Sequence, residues 1–195
     1  MFVPINSITY SLTVLKSTFI AVVMPFDNID DLETKLSEIK DAYPKARHYL
    51  YAYQVGDKVR YHDDNEPNAI AKNFLSVISK RDINNILVIV VRYFGGIKLG
   101  ASRLSRTYLD TFIGALDRLN FGEEKIVNQY QVKVNYQIFN KLKSYNYQLE
   151  DIRFNEMVYC SIISSNDILN KLEELKISNI KINKIKKIIQ STNRQ

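Results

Sequence analysis

Two short stretches hold most of the side chains able to do chemistry. The first is Asp63-Asp64-Asn65-Glu66-Pro67, preceded by His62, with His48 upstream. Paired carboxylates suit a hard divalent ion or acid–base work, and a histidine can carry a proton near neutral pH. The loop lacks the DxDxDG pattern and distant Glu of a calcium loop, so a dedicated calcium site is not expected. Acidic turns ahead of helices more often cap the helix and pair with arginines. The second stretch runs from Arg92 through Phe94-Gly95-Gly96-Ile97-Lys98-Leu99-Gly100 to Arg103 and Arg106. Three of the chain's six glycines fall there. Glycine permits positive φ and close backbone approach, and successive N–H groups in such a turn form an anion-binding concavity. With a helix N-terminus next to it, Arg92, Gly95, Gly96, Lys98, Arg103 and Arg106 form a candidate phosphate or carboxylate site. Neither GxxxxGK[ST] nor GxGxxG is present, and the alternative is a tight strand-to-helix turn with solvated cations.

The elements around these stretches follow from periodicity. Ile86 to Val91 is an unbroken apolar run, the pattern of a strand buried on both faces in the middle of a sheet. After Gly100, Leu104, Tyr108, Phe112, Ala115 and Leu119 recur at helical spacing and leave Arg103, Arg106 and Asp110 facing outward. Upstream, Phe2 to Leu15 reads as an edge strand and Thr18 to Met24 as a second strand. A helix capped at Asp27-Asn28 carries Ile29, Leu32, Leu36, Ile39 and Tyr43 and stops at Pro44. Arg47 to His62 reads as a hairpin turning at Gly56-Asp57. Tyr49, Tyr51 and Tyr53 share one face of it, either as half-buried packing, the commoner role, or as a base-stacking platform. Ile70, Phe74, Val77 and Ile78 mark a short helix before the central strand. This succession is α+β, with the helices expected over one face of the sheet.

Residues 120 to 125 read as a linker. Beyond it come a strand (126–134), a helix capped by Asn135, a hairpin turning at Asn155-Glu156, a helix capped by Ser164 or Ser165, and a strand over 180–185. The order β-α-β-β-α-β is the ferredoxin-like split motif. Two domains are therefore expected, over 1–120 and 126–195. Of 27 basic and 21 acidic side chains, residues 126 to 195 hold 11 and 6, so most of the net charge of +6 lies in the second domain. Lys181, Lys184, Lys186 and Lys187 on the last strand suit a phosphate backbone or, equally, protection of a sheet edge.

The single cysteine, Cys160, excludes an intramolecular disulfide and a multi-cysteine zinc site, and reads as a small buried hydrophobe. No nucleotide loop, zinc spacing or catalytic triad stands out, so neither cofactor nor resident metal is expected. No apolar run reaches membrane-spanning length and no signal peptide is evident, which reads as a soluble, cytoplasmic protein.

The stretch from Arg92 to Arg106 resembles the signature RYFGGxKLGxGGLxRAY of the IMPACT/YigZ family. Asp63 to Pro67 resembles that family's DDGEP, Lys16-Ser17-Thr18-Phe19-Ile20 its KSxFI opening, and His48 the histidine of its AxH stretch. The chain departs from the pattern at Asn65, at Asn68-Ala69-Ile70-Ala71-Lys72 in place of SGTAG, and at Ser102-Arg103 in place of Gly-Gly. The resemblance implies a first domain folded like domain IV of elongation factor G and a small-subunit ribosomal protein. It implies a second domain like a C-terminal module of that factor, and a link to translational control. The expected function is a non-enzymatic, translation-associated regulator or accessory factor that binds RNA, the ribosome or a protein partner in translation, with no membrane partner. An alternative is an enzyme acting on a phosphate- or carboxylate-bearing small molecule. There Asp64 and Glu66, beside Asp63, would be acid, base or metal ligands, with His48 as proton carrier and Arg92 with Lys98 as anion clamps.

Overall fold

A computed structural model of the chain describes residues 1–67 and 69–190. These form two compact units, Met1–Glu123 and Glu124–Ile189.

In the first unit, an antiparallel sheet has the order β2 (Ile8–Val14), β3 (Ser17–Pro25), β6 (Ile86–Tyr93), β4 (His48–Val55), β5 (Lys58–His62). The apolar run of β6 is the middle strand, and Ile86 to Val91 are wholly buried. Because side chains alternate along a strand, its two faces feed two cores. Ile86, Val88 and Val90 pack under α2 (Ile70–Lys80) and α3 (Ala101–Leu116), through Phe74, Tyr108 and Phe112. Leu87, Ile89 and Val91 pack under α1 (Leu32–Ala42), through Leu32, Leu36 and Ile39. The helices thus cover both faces of the sheet, not one. A strand apolar on both sides requires two covers, and α1 supplies the second.

The tyrosine row lies on the α1 face. Tyr51 and Tyr53 are buried there, and Tyr49 gives its hydroxyl to the carbonyl of Tyr43, so the row is packing and not an open stacking platform. The β2–β3 hairpin turns through Leu15 and Lys16, both at positive φ (47° and 65°), between the paired residues Val14 and Ser17. That is a primed two-residue turn, whose twist matches the strands but which favours glycine or asparagine.

The residues expected to be a linker are a strand instead. β7 runs from Phe121 to Val134, and its first residues pair with β1 (Phe2–Pro4), as in Val3 with Gly122. Its partner lies over a hundred residues away in sequence, so local turn signals misread the segment. From Glu124 onward the second unit contains the rest of β7, α4 (Tyr136–Ser144), β8 (Gln148–Phe154), β9 (Val158–Ser164), α5 (Leu169–Glu174) and β10 (Lys181–Gln190). The strand order is β10-β7-β9-β8. Tyr130, Val132, Val158, Cys160 and Ile162 pack against Phe139 and Leu142 of α4 and Leu172 of α5. Burial pushes the Cys160 thiol up, away from the reactive thiolate.

Asn135 caps α4 by accepting from the Ile138 amide at 2.9 Å. The expected serine cap of α5 is absent, because Ser164 bonds to Asn166 within its own turn. Asp167 takes the Leu169 amide and the Tyr130 hydroxyl, while that hydroxyl accepts from Ile168. Two lysines of β10 are also committed within the unit. Lys187 meets both oxygens of Glu150 at 2.6 Å and Lys186 meets Glu124 at 3.2 Å, whereas Lys181 and Lys184 are exposed.

Candidate functional site

The acidic loop and the strand leading into the glycine turn meet at one end of the first unit's sheet. Asp64 and Asn65 both take positive φ, 45° and 65°, which bends the loop back on itself. Asn tolerates that region better than other non-glycine residues, so it fills a place that would suit glycine. The bend directs each carboxylate inward. Asp63 accepts the Ala71 amide at 2.6 Å and so caps α2, whose own N-cap position is Ala69. One oxygen of Asp64 accepts the Tyr49 amide at 2.7 Å, and the other lies 3.8 Å from His62 Nε2. Glu66 goes deepest. Its side chain is only 4% exposed, and Oε1 accepts from Arg92 Nη1 at 2.5 Å and from the Tyr108 hydroxyl at 2.9 Å.

Arg92 is correspondingly buried, 8% exposed, with its guanidinium 5.4 Å from the Phe19 ring centre and 5.5 Å from that of Phe94. It therefore leaves the group expected to grip an external anion. Its charge is already matched by Glu66, although its Nε is buried without a partner among the described residues. Burial, reinforced by the Glu66 charge, pushes the Tyr108 phenol far above its ordinary value, so Tyr108 stays neutral and donates. His48 completes the cluster. Its Nδ1 is 2.8 Å from the Asp64 carbonyl, which can only accept, so Nδ1 carries the hydrogen and Nε2 faces Glu66 Oε1 at 3.6 Å. Tyr108 was legible in the sequence only as a member of an apolar stripe. A tyrosine in such a stripe is the signal, because a buried hydroxyl needs a partner.

The glycine turn behaves in the opposite way. Gly95 lies against the β2–β3 hairpin, where an added Cβ would be 2.0 Å from the Lys16 carbonyl carbon, and its amide bonds to Ser17 Oγ. Gly96 and Gly100 have φ of 85° and 79°. α3 then begins at Ala101 with no side-chain cap and no acidic residue in its first turn. Lys98 and Arg103 are exposed, and the Arg106 side chain is 84% exposed and lies 3.9 Å from Asp110. Lys16, which opens the KSxFI-like stretch, and Lys45 and Arg47, which are not among the expected anion-site residues, are exposed on neighbouring segments. Arg47 is tied in by its amide bond to the Arg92 carbonyl and by its guanidinium, 5.5 Å from the Phe94 ring centre.

On the α1 face, a groove of about 250 Å³ is lined by Glu33, Leu36, Lys40, Tyr49, Tyr51, Arg60, His62 and Asp64. His62 stacks on Tyr51 there. No cluster of three metal-binding side chains occurs among the described residues, and none of their helices is long and apolar enough to cross a membrane.

Comparison with known proteins finds relatives of this chain by sequence and by fold. Residues 15–116 match the family model of the Impact N-terminal domain. The "IMPACT family member in pol 5'region" of Thermus thermophilus is 37% identical over 103 residues, covering 53% of this chain and 56% of that protein. The "IMPACT family member YvyE" of Bacillus subtilis is 29% identical over 157 residues, covering 76% of this chain and 72% of that one. A crystal structure described as a hypothetical protein superposes with a TM-score of 0.63 at 20% identity, over 94% of this chain and 96% of the other, and so shares the fold. The matched segment contains the acidic loop, the buried Glu66–Arg92 pair and the glycine turn, and the chain belongs to the IMPACT family.

Proposed function

We propose that this chain is a cytoplasmic, translation-associated binding module without catalytic activity, and that its first unit contacts RNA or the ribosome through the glycine turn and the start of α3. One observation carries the reading: the carboxylates nearest the turn are engaged internally, while Lys98, Arg103 and Arg106 are left outward beside an uncapped helix N-terminus. A cation in a helix's first turn opposes the helix dipole, so the arrangement is unfavourable until an anion arrives. A phosphate backbone supplies one. Membership in the IMPACT family adds the link to translational control. The proposal extends to the units as domains, over 1–120 and 126–195. The second resembles a ferredoxin-like elongation-factor module and contributes Lys181 and Lys184 to the same partner.

The test is crosslinking in cells with sequencing of bound RNA, comparing wild type with Arg103→Glu/Arg106→Glu and with Lys181→Glu/Lys184→Glu. Enrichment of ribosomal or transfer RNA in wild type, lost in either variant, supports the reading and assigns the contact to a unit. No enrichment above background in wild type would refute it.

A second reading, a small-molecule site with Asp64 in acid–base work, rests on the groove where Asp64 and His62 meet. Glu66 offers it little, because a carboxylate with two strong donors on one oxygen and almost no exposure is a structural anion. A screen of phosphorylated and carboxylated metabolites by thermal shift, repeated on His62→Ala, tests it.

A further inference from the structure

Three segments converge beside the glycine turn: the β2–β3 hairpin tip, the lead-in to β4, and the turn itself. Gly95 lies against Lys16, and the Arg47 amide bonds to Arg92. This end presents cations from every segment, namely Lys16, Lys45, Arg47, Lys98 and, from the first turn of α3, Arg103. It also presents apolar side chains that folding left in water. Leu15 is 40% exposed, Phe94 37% and Ile97 43%. Cations alone suffice for a duplex backbone, which offers phosphates and 2′-hydroxyls but no apolar surface. Exposed aromatic and aliphatic groups set among cations match a strand whose bases are unstacked, because every unpaired base has a π-face.

Resting on the RNA reading above, we propose that this end of the first unit binds single-stranded, unpaired RNA, with a base stacked on Phe94 beside Arg47 and the flanking phosphates on Lys16, Lys98 and Arg103. Phe94 is suited to that place. Its ring already lies near two guanidinium groups, 5.5 Å from each, and a cation beside a stacked base adds to the attraction. The buried Glu66–Arg92 pair holds Phe94 from beneath without adding free charge.

The experiment uses the full chain and fluorescence anisotropy with a labelled 15-nucleotide oligouridylate and a 15-base-pair RNA duplex, at low and moderate salt. Wild type should bind the single strand more tightly than the duplex. Phe94→Ala and Phe94→Leu should weaken single-strand binding by about tenfold and leave duplex binding unchanged. Phe94→Trp should retain affinity, and its emission should be quenched by the oligouridylate. Melting curves confirm that each variant is folded, and the tryptophan quenching stands even if the alanine variant is not. Equal affinity for both RNAs, with Phe94→Leu indifferent and Phe94→Trp unquenched, would overturn this inference while leaving the RNA reading intact. If neither RNA binds, the RNA reading itself fails. Vesicles of phosphatidylcholine with phosphatidylserine, bound in place of RNA, would reassign the apolar tip to a membrane surface.

Discussion

The acidic loop and the glycine turn are similar in sequence, both short, charged and rich in turn residues, yet the fold uses them in opposite ways. The loop turns its three carboxylates inward, onto the Ala71 amide, the Tyr49 amide and Arg92. The turn faces its cations outward, beside an uncapped helix. Charge in a sequence therefore says little about a ligand until it is known which charges cancel inside the protein. Arg92 makes the point, since it adjoins the glycine signature in sequence and belongs to the acidic loop in space.

Breaking the inward side should have the largest effect. Arg92→Ala leaves Glu66 charged and buried without its partner, so unfolding of the full chain in urea should show a loss of about 3–5 kcal/mol. A loss below about 1 kcal/mol would mean that the cluster is solvated and that the contrast between the two stretches is false. Tyr108→Phe removes one donor to the same oxygen and should cost about 1–3 kcal/mol.

The same residue gives a pH signature. The folded-state value of the Tyr108 phenol lies above the unfolded one, so its contribution is whole below about pH 10 and declines as the pH rises further, because only the unfolded chain can release the proton. Wild type should lose stability above pH 10 more steeply than Tyr108→Phe, by up to about 1.4 kcal/mol per pH unit. Parallel alkaline profiles would place the hydroxyl in water.

The outward side should barely register in stability. Arg103→Glu/Arg106→Glu, tested in the same urea titrations, should stay within about 0.5 kcal/mol of wild type even where RNA binding is lost. A large destabilisation there would mean that these arginines also serve the fold.

Local pattern was sufficient for much of the architecture. The unbroken apolar run Ile86–Val91 reads as a covered central strand and is one, the stripe from Leu104 to Ala115 faces a core, and Asn135 caps α4 as expected, whereas Asn28 caps only the 3-10 turn Ile29–Asp31 that leads into α1. The short motifs also placed the two charged stretches in one unit. Local pattern failed where the partner was distant. Residues 120 to 125 read as a linker until Phe2–Pro4 pairs with Phe121 to Glu123, and Ser164 or Ser165 reads as a cap until Tyr130 and Asp167 take that role. The expectation of helices on one face failed for a related reason, because periodicity tells which side of a helix is buried but not which side of the sheet receives it.

Sequence alone determined which residues are apolar at which period, which turns demand glycine or its substitutes, and how many charges the chain carries. Tertiary structure alone decided which of those charges remain free. Pairing of Glu66 with Arg92, 26 positions apart and joined only when the loop folds back over β6, is a matter of desolvation and distance in space, and no local rule encodes it.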